Sequence, residues 1–205
     1  MIFAVMPVGP IGANCYLIGC EQTKEGAVID PGDEGSRIVA KVKELGLNIK
    51  SIILTHGHID HISAVDEVKK ATSAQILIHQ EDAKMLVDGN RNLSHMMGTN
   101  RGYSPADVLL KEGDVIKVGN LEIKVLHTPG HTLGGICLET EGIIISGDTL
   151  FEGSIGRSDF PGGSHEVLIN SIKTKLLPYP DETKVYPGHG PSTSIGFERV
   201  NNPFF

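Results

Sequence analysis

Cysteine is scarce. Cys15, Cys20 and Cys137 are odd in number and show no C-x-x-C spacing, so neither a disulfide framework nor a thiolate zinc knuckle is indicated, and a reducing cytoplasm fits best. Cationic charge is also short: 18 Lys and Arg against 25 Asp and Glu leave a formal charge of -7. A nucleic-acid backbone, which demands clustered cations, is therefore a poor candidate for the main partner. No run approaches the ~20 apolar residues of a membrane span. The N-terminus lacks the basic region of a signal peptide, and Pro7, Gly9, Pro10 and Gly12 would break any apolar helix there.

What is present fits one globular domain over residues 1–205, long enough to bury about 70% of the surface that its unfolded form exposes. Short apolar stretches at 2–8, 14–18 and 27–29 read as strands. Residues 34–45 carry Ile38, Val39, Val42 and Leu45 on one helical face, with Gly46 at the C-cap position. A buried strand at 51–54, a helix at 62–71, a strand at 75–79 and a short helix at 81–87 follow. Residues 88–105 form a long Asn- and Gly-rich connection, either a functional flap or a tolerated surface insertion. Hairpins at 115–126 and 136–146, a helix carrying Val167, Leu168, Ile172 and Leu176, and a last strand at 184–186 complete the second half. Two strand-rich halves, each followed by helices, predict two sheets packed face to face with helices outside.

The densest chemistry lies at Thr55-His56-Gly57-His58-Ile59-Asp60-His61, three imidazoles and a carboxylate in six residues, of the nine His in the chain. Neutral imidazole and carboxylate suit zinc, iron or manganese without any thiolate. Three further polar positions sit where a strand runs into a glycine-containing loop: His131, Asp148 and His189. Grouped with the first cluster, they give His56, His58 and His131 for one ion and Asp60, His61 and His189 for another, with Asp148 between. His127, just before Pro129, reads as structural.

In this order, His-x-His-x-Asp-His, Thr128-Pro-Gly-His131-Thr, Gly147-Asp148-Thr149 and Pro187-Gly-His189-Gly resemble the metallo-β-lactamase superfamily over almost the whole chain. The resemblance implies an α/β fold of four αββα layers with a dinuclear centre at one edge. Asn14-Cys15-Tyr16, Ile29-Asp30-Pro31-Gly32 and Asn202-Pro203-Phe204 are most similar to the glyoxalase II-type hydrolases, particularly short bacterial ones. That likeness implies hydrolysis of a small-molecule thioester, S-D-lactoylglutathione or an ester of a related thiol. It implies two divalent ions, zinc first, with iron or manganese also suited to the donors. Asp60 and Asp148 take catalytic as well as ligand roles. Two such ions about 3.5 Å apart lower the pKa of a shared water and polarise a carbonyl.

The chain departs from the glutathione-specific members. Their helical C-terminal extension has no counterpart within residues 1–205. In the loop Gly156-Arg157-Ser158-Asp159-Phe160, Arg157 stands for their Lys and Asp159 for their phenol. Arg157, Asp159 and Phe160 are candidate substrate contacts, although Arg157 reads equally as half of a surface ion pair. The same loop resembles the persulfide dioxygenases, whose single iron would map to His56, His131 and Asp148. His189-Gly190-Pro191 is closer to the hydrolases. β-Lactam hydrolysis is disfavoured by His61, a flavodiiron oxygen reductase by His58, and a nuclease by the charge. A module merely braced by metal would need a saturated site, whereas seven ligands for two ions leave room for water.

Overall fold

The computed structural model describes residues 1–205. The first half runs β1 (Ile2–Val8), β2 (Ala13–Gly19), β3 (Glu25–Ile29), α1 (Gly35–Glu44), β4 (Asn48–Leu54), α2 (Ile59–Ile62), α3 (Val65–Thr72), β5 (Gln75–His79), α4 (Ala83–Val87), a 3-10 turn at Ser94–Met97, and β6 (Val108–Leu110). The second runs β7 (Val115–Val118), β8 (Leu121–His127), β9 (Ile136–Thr140), β10 (Ile143–Gly147), the small ribbon β11 (Leu150–Phe151) and β12 (Ser154–Ile155), then α5 (His165–Ser171) with a π-helical turn at Ile172–Leu176, β13 (Lys184–Pro187), β14 (Thr193–Ser194) and α6 (Ile195–Asn201).

Strands β1 to β6 lie in chain order in one six-stranded sheet, antiparallel up to β3 and parallel from β3 to β6. The second sheet has the order β14-β13-β10-β9-β8-β7, with β10 and β13 its parallel pair. Side-chain alternation along each strand divides the apolar residues among three cores. In β4, Ile53 points between the sheets, where Tyr16, Ile18 and Ile29 meet Ile123, Val125, Leu138 and Ile145. Its neighbours Ile52 and Leu54 point the other way, against Ile38 and Val42 of α1 and Val65 and Val68 of α3. In the second sheet Ile144 and Val185 pack outward on Leu168, Ile172, Leu176 and Ile195. Helix, sheet, sheet, helix is therefore the layer order, as expected. No helix is long and apolar enough to cross a membrane.

Several boundaries differ from expectation. The helix expected over 62–71 is two: α2 begins inside the His cluster, and Ser63 and Ala64 separate it from α3. Helix α6, β6, β14 and the β11–β12 ribbon were not anticipated. The three strand features are two or three residues each, too short for an alternation pattern to register. Helix α6 is marked mainly by Ser194, whose hydroxyl accepts the Phe197 amide at 3.3 Å as an N-cap.

Candidate metal centre

Four strands deliver the polar side chains from their C-terminal ends to one edge of the sandwich. The end of β4 supplies His56 to His61, β8 leads to His131, β10 to Asp148 and β13 to His189. His58 sits just before the first turn of α2, and that turn carries Asp60 and His61 round to the far side of the segment. Close backbone approaches make this possible. A Cβ on Gly32 would collide with the Asp60 carbonyl, and one on Gly188 with the Asp148 carboxylate and His61.

All seven expected ligands converge. The ring nitrogens of His56, His58 and His131 lie within 4.8 Å of one another, as do the ligand atoms of Asp60, His61 and His189. His58 Nδ1 is 2.9 Å from His131 Nε2, and two imidazole nitrogens that close share either a proton or a cation. In the second group His189 Nε2 lies 3.0 Å from Asp60 Oδ2 and 3.3 Å from His61 Nε2. Ligands ~2.0–2.1 Å from a tetrahedral zinc are separated by roughly 3.3 Å, and the His58–His131 pair of the first group and the His189 pairs of the second lie near that spacing. Asp148 joins them, with Oδ1 3.5 Å from His61 Nε2 and Oδ2 3.6 Å from His131 Nε2.

Two buried atoms find no hydrogen-bond partner in the protein: His56 Nε2 and Asp148 Oδ1. Leaving an imidazole lone pair and a carboxylate oxygen both buried and unpaired costs several kcal/mol in sum, which a cation at the centre would offset. The residues present thus fit a dinuclear site on donor chemistry, spacing and unmet demand.

Among the protein groups alone, protonation divides the two sets. Burial, reinforced by His61, His131 and His58, holds the His56 imidazole well below its ordinary value. Burial and His131 push His58 down to about 3. For His61 and His189 burial also acts downward, but the carboxylates of Asp60 and Asp148 outweigh it and raise both. Burial would lift Asp60, yet His61 and the hydrogen bond from His189 hold it far below the carboxylate range.

The supporting layer contains residues that sequence reasoning did not assign. Asp30, at a left-handed φ of 50°, accepts the Thr55 amide at 2.7 Å on Oδ1. Its Oδ2 takes the Thr55 hydroxyl at 2.6 Å and His61 Nδ1 at 3.0 Å. With its oxygens so engaged, Asp30 is placed to orient the candidate ligands rather than to join them, although it lies within ligand distance of His56 and His61. Since the Thr55 hydroxyl donates to Asp30, it accepts from His56 Nδ1 at 3.1 Å, which leaves His56 Nε2 for a cation. His131 Nδ1 donates to the Arg157 carbonyl at 2.7 Å, leaving its Nε2 likewise. Asp82, buried behind both loops, accepts Gly57 N at 3.2 Å, Gly134 N at 2.7 Å and the Thr132 hydroxyl at 2.7 Å. Asp30 could have been suspected from Asp-Pro-Gly directly after a strand; Asp82 carries no such signal.

The centre opens into a cleft of about 460 Å³. Ile11 of the β1–β2 turn, Leu93, Met96 and Met97 of the 88–105 connection, Phe151 of β11, and Phe160 line it together with the ligands. The 88–105 connection therefore forms one wall of the site. Arg157 also reaches this cleft, but its Nε and Nη2 each donate to Asp159 at 2.8 Å and its guanidinium lies over the Phe160 ring. His127 stands apart from both ligand groups, stacked on His79 with ring centroids 4.0 Å apart, and donates Nε2–H to the Leu133 carbonyl at 2.9 Å.

The chain is 42% identical over 203 residues to a probable metallo-hydrolase, YqgX, of Bacillus subtilis, covering 97% of this chain and 95% of that one. It is 38% identical to the hydroxyacylglutathione hydrolase GloC of Haemophilus influenzae, over 100% of this chain and 98% of the relative. Among solved structures it is similar to the B3 metallo-beta-lactamase BLEG-1 (TM-score 0.94, 38% identity, 99% of each chain). It is similar also to TTHA1623 in a di-iron-bound form (0.87, 36%, 98% and 100%) and to ETHE1 from Myxococcus xanthus (0.84, 33%, 99% and 84%). The model of the metallo-beta-lactamase superfamily matches residues 8–189, a span that takes in all seven converging side chains, and the chain belongs to that superfamily.

Proposed function

We propose that this metallo-hydrolase cleaves a thioester, in the manner of glyoxalase II, with S-D-lactoylglutathione or an ester of a related low-molecular-weight thiol as substrate. The observation that carries the reading is Asp148, whose two oxygens face His61 of one group and His131 of the other at 3.5 and 3.6 Å. His56, His58 and His131 would hold one divalent ion, and Asp60, His61 and His189 the other, with Asp148 between. Zinc is the first choice, and iron or manganese suits the same donors. When bound, the pair supplies a water of lowered pKa and a Lewis acid for the carbonyl. Asp60 would orient that water by accepting its hydrogen bond. The apolar walls of the cleft would shed water once a substrate covers them, and a thiolate is a good enough leaving group to depart without a strong general acid. The GloC relative supports the substrate class.

His58→Ala or Asp148→Ala should abolish turnover of S-D-lactoylglutathione and related thioesters and lower bound metal; full metal with full rate would refute the assignment. A mononuclear iron persulfide dioxygenase is the second reading, favoured by Gly156-Arg157-Ser158-Asp159-Phe160. Oxygen uptake with glutathione persulfide separates the two. BLEG-1 is a reason to include a β-lactam in the panel.

A further inference from the structure

The floor of the cleft is polar and its walls are not. Ile11, Met96 and Met97 are 56, 63 and 48% exposed, although each borders the same cavity. Phe151 and Phe160 are partly buried and line it as well. Apolar side chains left in water around one concavity are surface that an apolar ligand covers, and Met adapts its shape to what it covers.

Charge points the same way. Imidazoles aside, Arg157 is the one cation among the lining residues. Two of its donors are committed to Asp159, and its guanidinium centre lies 3.7 Å from the Phe160 centroid. The hydrogen bonds from Arg157 push the Asp159 carboxyl down to about 2, so the partner stays ionised at any working pH. An incoming carboxylate that takes the bidentate Nε–Nη2 edge must displace an anion tethered two residues away, which competes at a high effective concentration, and one that takes Nη1 instead meets a charge already half neutralised by Asp159. Glutathione brings two carboxylates to this surface.

We propose that the cleft selects thioesters whose thiol arm is uncharged and largely apolar, gripped by Ile11, Met96 and Met97, with Asp159 withholding Arg157 from anionic arms. The inference rests on the thioester-hydrolase reading and narrows its substrate. The reaction itself is ordinary hydrolysis: water adds to the carbonyl, the C–S bond breaks, and carboxylate, thiol and one proton result.

The test uses a matched pair with the same acyl group, S-D-lactoylglutathione and S-D-lactoyl-N-acetylcysteamine, on metal-loaded protein. The expected kcat/KM favours the uncharged ester by about tenfold or more. Met97→Lys, at an exposed position, and Asp159→Asn should each move the ratio toward glutathione by about fivefold or more. Calorimetry with the non-hydrolysable S-methyl thioethers of both thiols should give the same order of affinity. Hydrolysis of both esters without discrimination, a preference for glutathione, or a ratio unmoved in both variants would overturn the selectivity while leaving the hydrolase standing. Turnover of neither ester by protein carrying two ions would bring down the hydrolase reading, and this inference with it.

Discussion

Asp30 Oδ2 accepts a hydrogen bond from His61 Nδ1 at 3.0 Å, with both side chains fully buried. Through the Thr55 hydroxyl the same oxygen also fixes His56. One carboxylate thereby sets the ring tautomer of a ligand in each metal group. Asp30→Ala should weaken metal binding by about 10- to 100-fold, as loss of an orienting partner does, and depress turnover with it. Metal titration of chelated protein checks this; unchanged affinity would remove Asp30 from the support of the centre.

Asp82 ties the loop of His56 and His58 to the loop of His131 through three accepted hydrogen bonds. Asp82→Ala leaves two buried amides and a hydroxyl without their partner, at a cost of about 2–4 kcal/mol of folding stability. Denaturant unfolding of the metal-free protein measures that cost, and a loss below about 0.5 kcal/mol would contradict it.

Metal uptake should be more strongly proton-linked at the group of Asp60, His61 and His189 than at the other. His61 and His189 are raised above the ordinary imidazole value of 6.5 by the carboxylates around them, so they keep their protons to higher pH than a free imidazole, and an ion binding there must expel them. His56 and His58 are lowered and have none to lose. What the charged His61 and His189 contribute to the metal-free fold is fully present below about pH 6.5 and fades as pH rises through their raised values. Calorimetry in buffers of different ionisation heat should show more protons released by uptake at Asp60, His61 and His189 than by the other event, with that ion lost first as pH falls. Equal pH dependence of both events would contradict the division.

Ile53 fills the space between the sheets with no exposure at all. Ile53→Ala should cost about 2–5 kcal/mol by denaturant unfolding. Because Ile53 lies three residues before His56 on the strand that delivers the cluster, partial metal loss should accompany it.

The sandwich was legible because its strands are short apolar runs broken by Gly- and Pro-containing turns. Ile52, Ile53 and Leu54 read as a buried strand, and that strand does deliver the His cluster. The convergence of the candidate ligands was legible because imidazoles and carboxylates beside glycines are chemically conspicuous. Less visible was what depends on approach in space. Asp82 meets Gly57 and Thr132 only after three strands are in register, so no local pattern marks it. The wall built by Met96 and Met97 comes from a connection whose composition fits a surface loop equally well. For Arg157 the sequence left substrate contact and ion pair level; the structure supplies the ion pair with Asp159.

Metal counting on protein loaded and desalted, followed by thioester turnover with oxygen excluded, bears most directly on the paired-ion hydrolase. The account predicts two divalent ions per chain and a rate indifferent to oxygen. One iron per chain, no thioester turnover, and oxygen uptake with glutathione persulfide would contradict it.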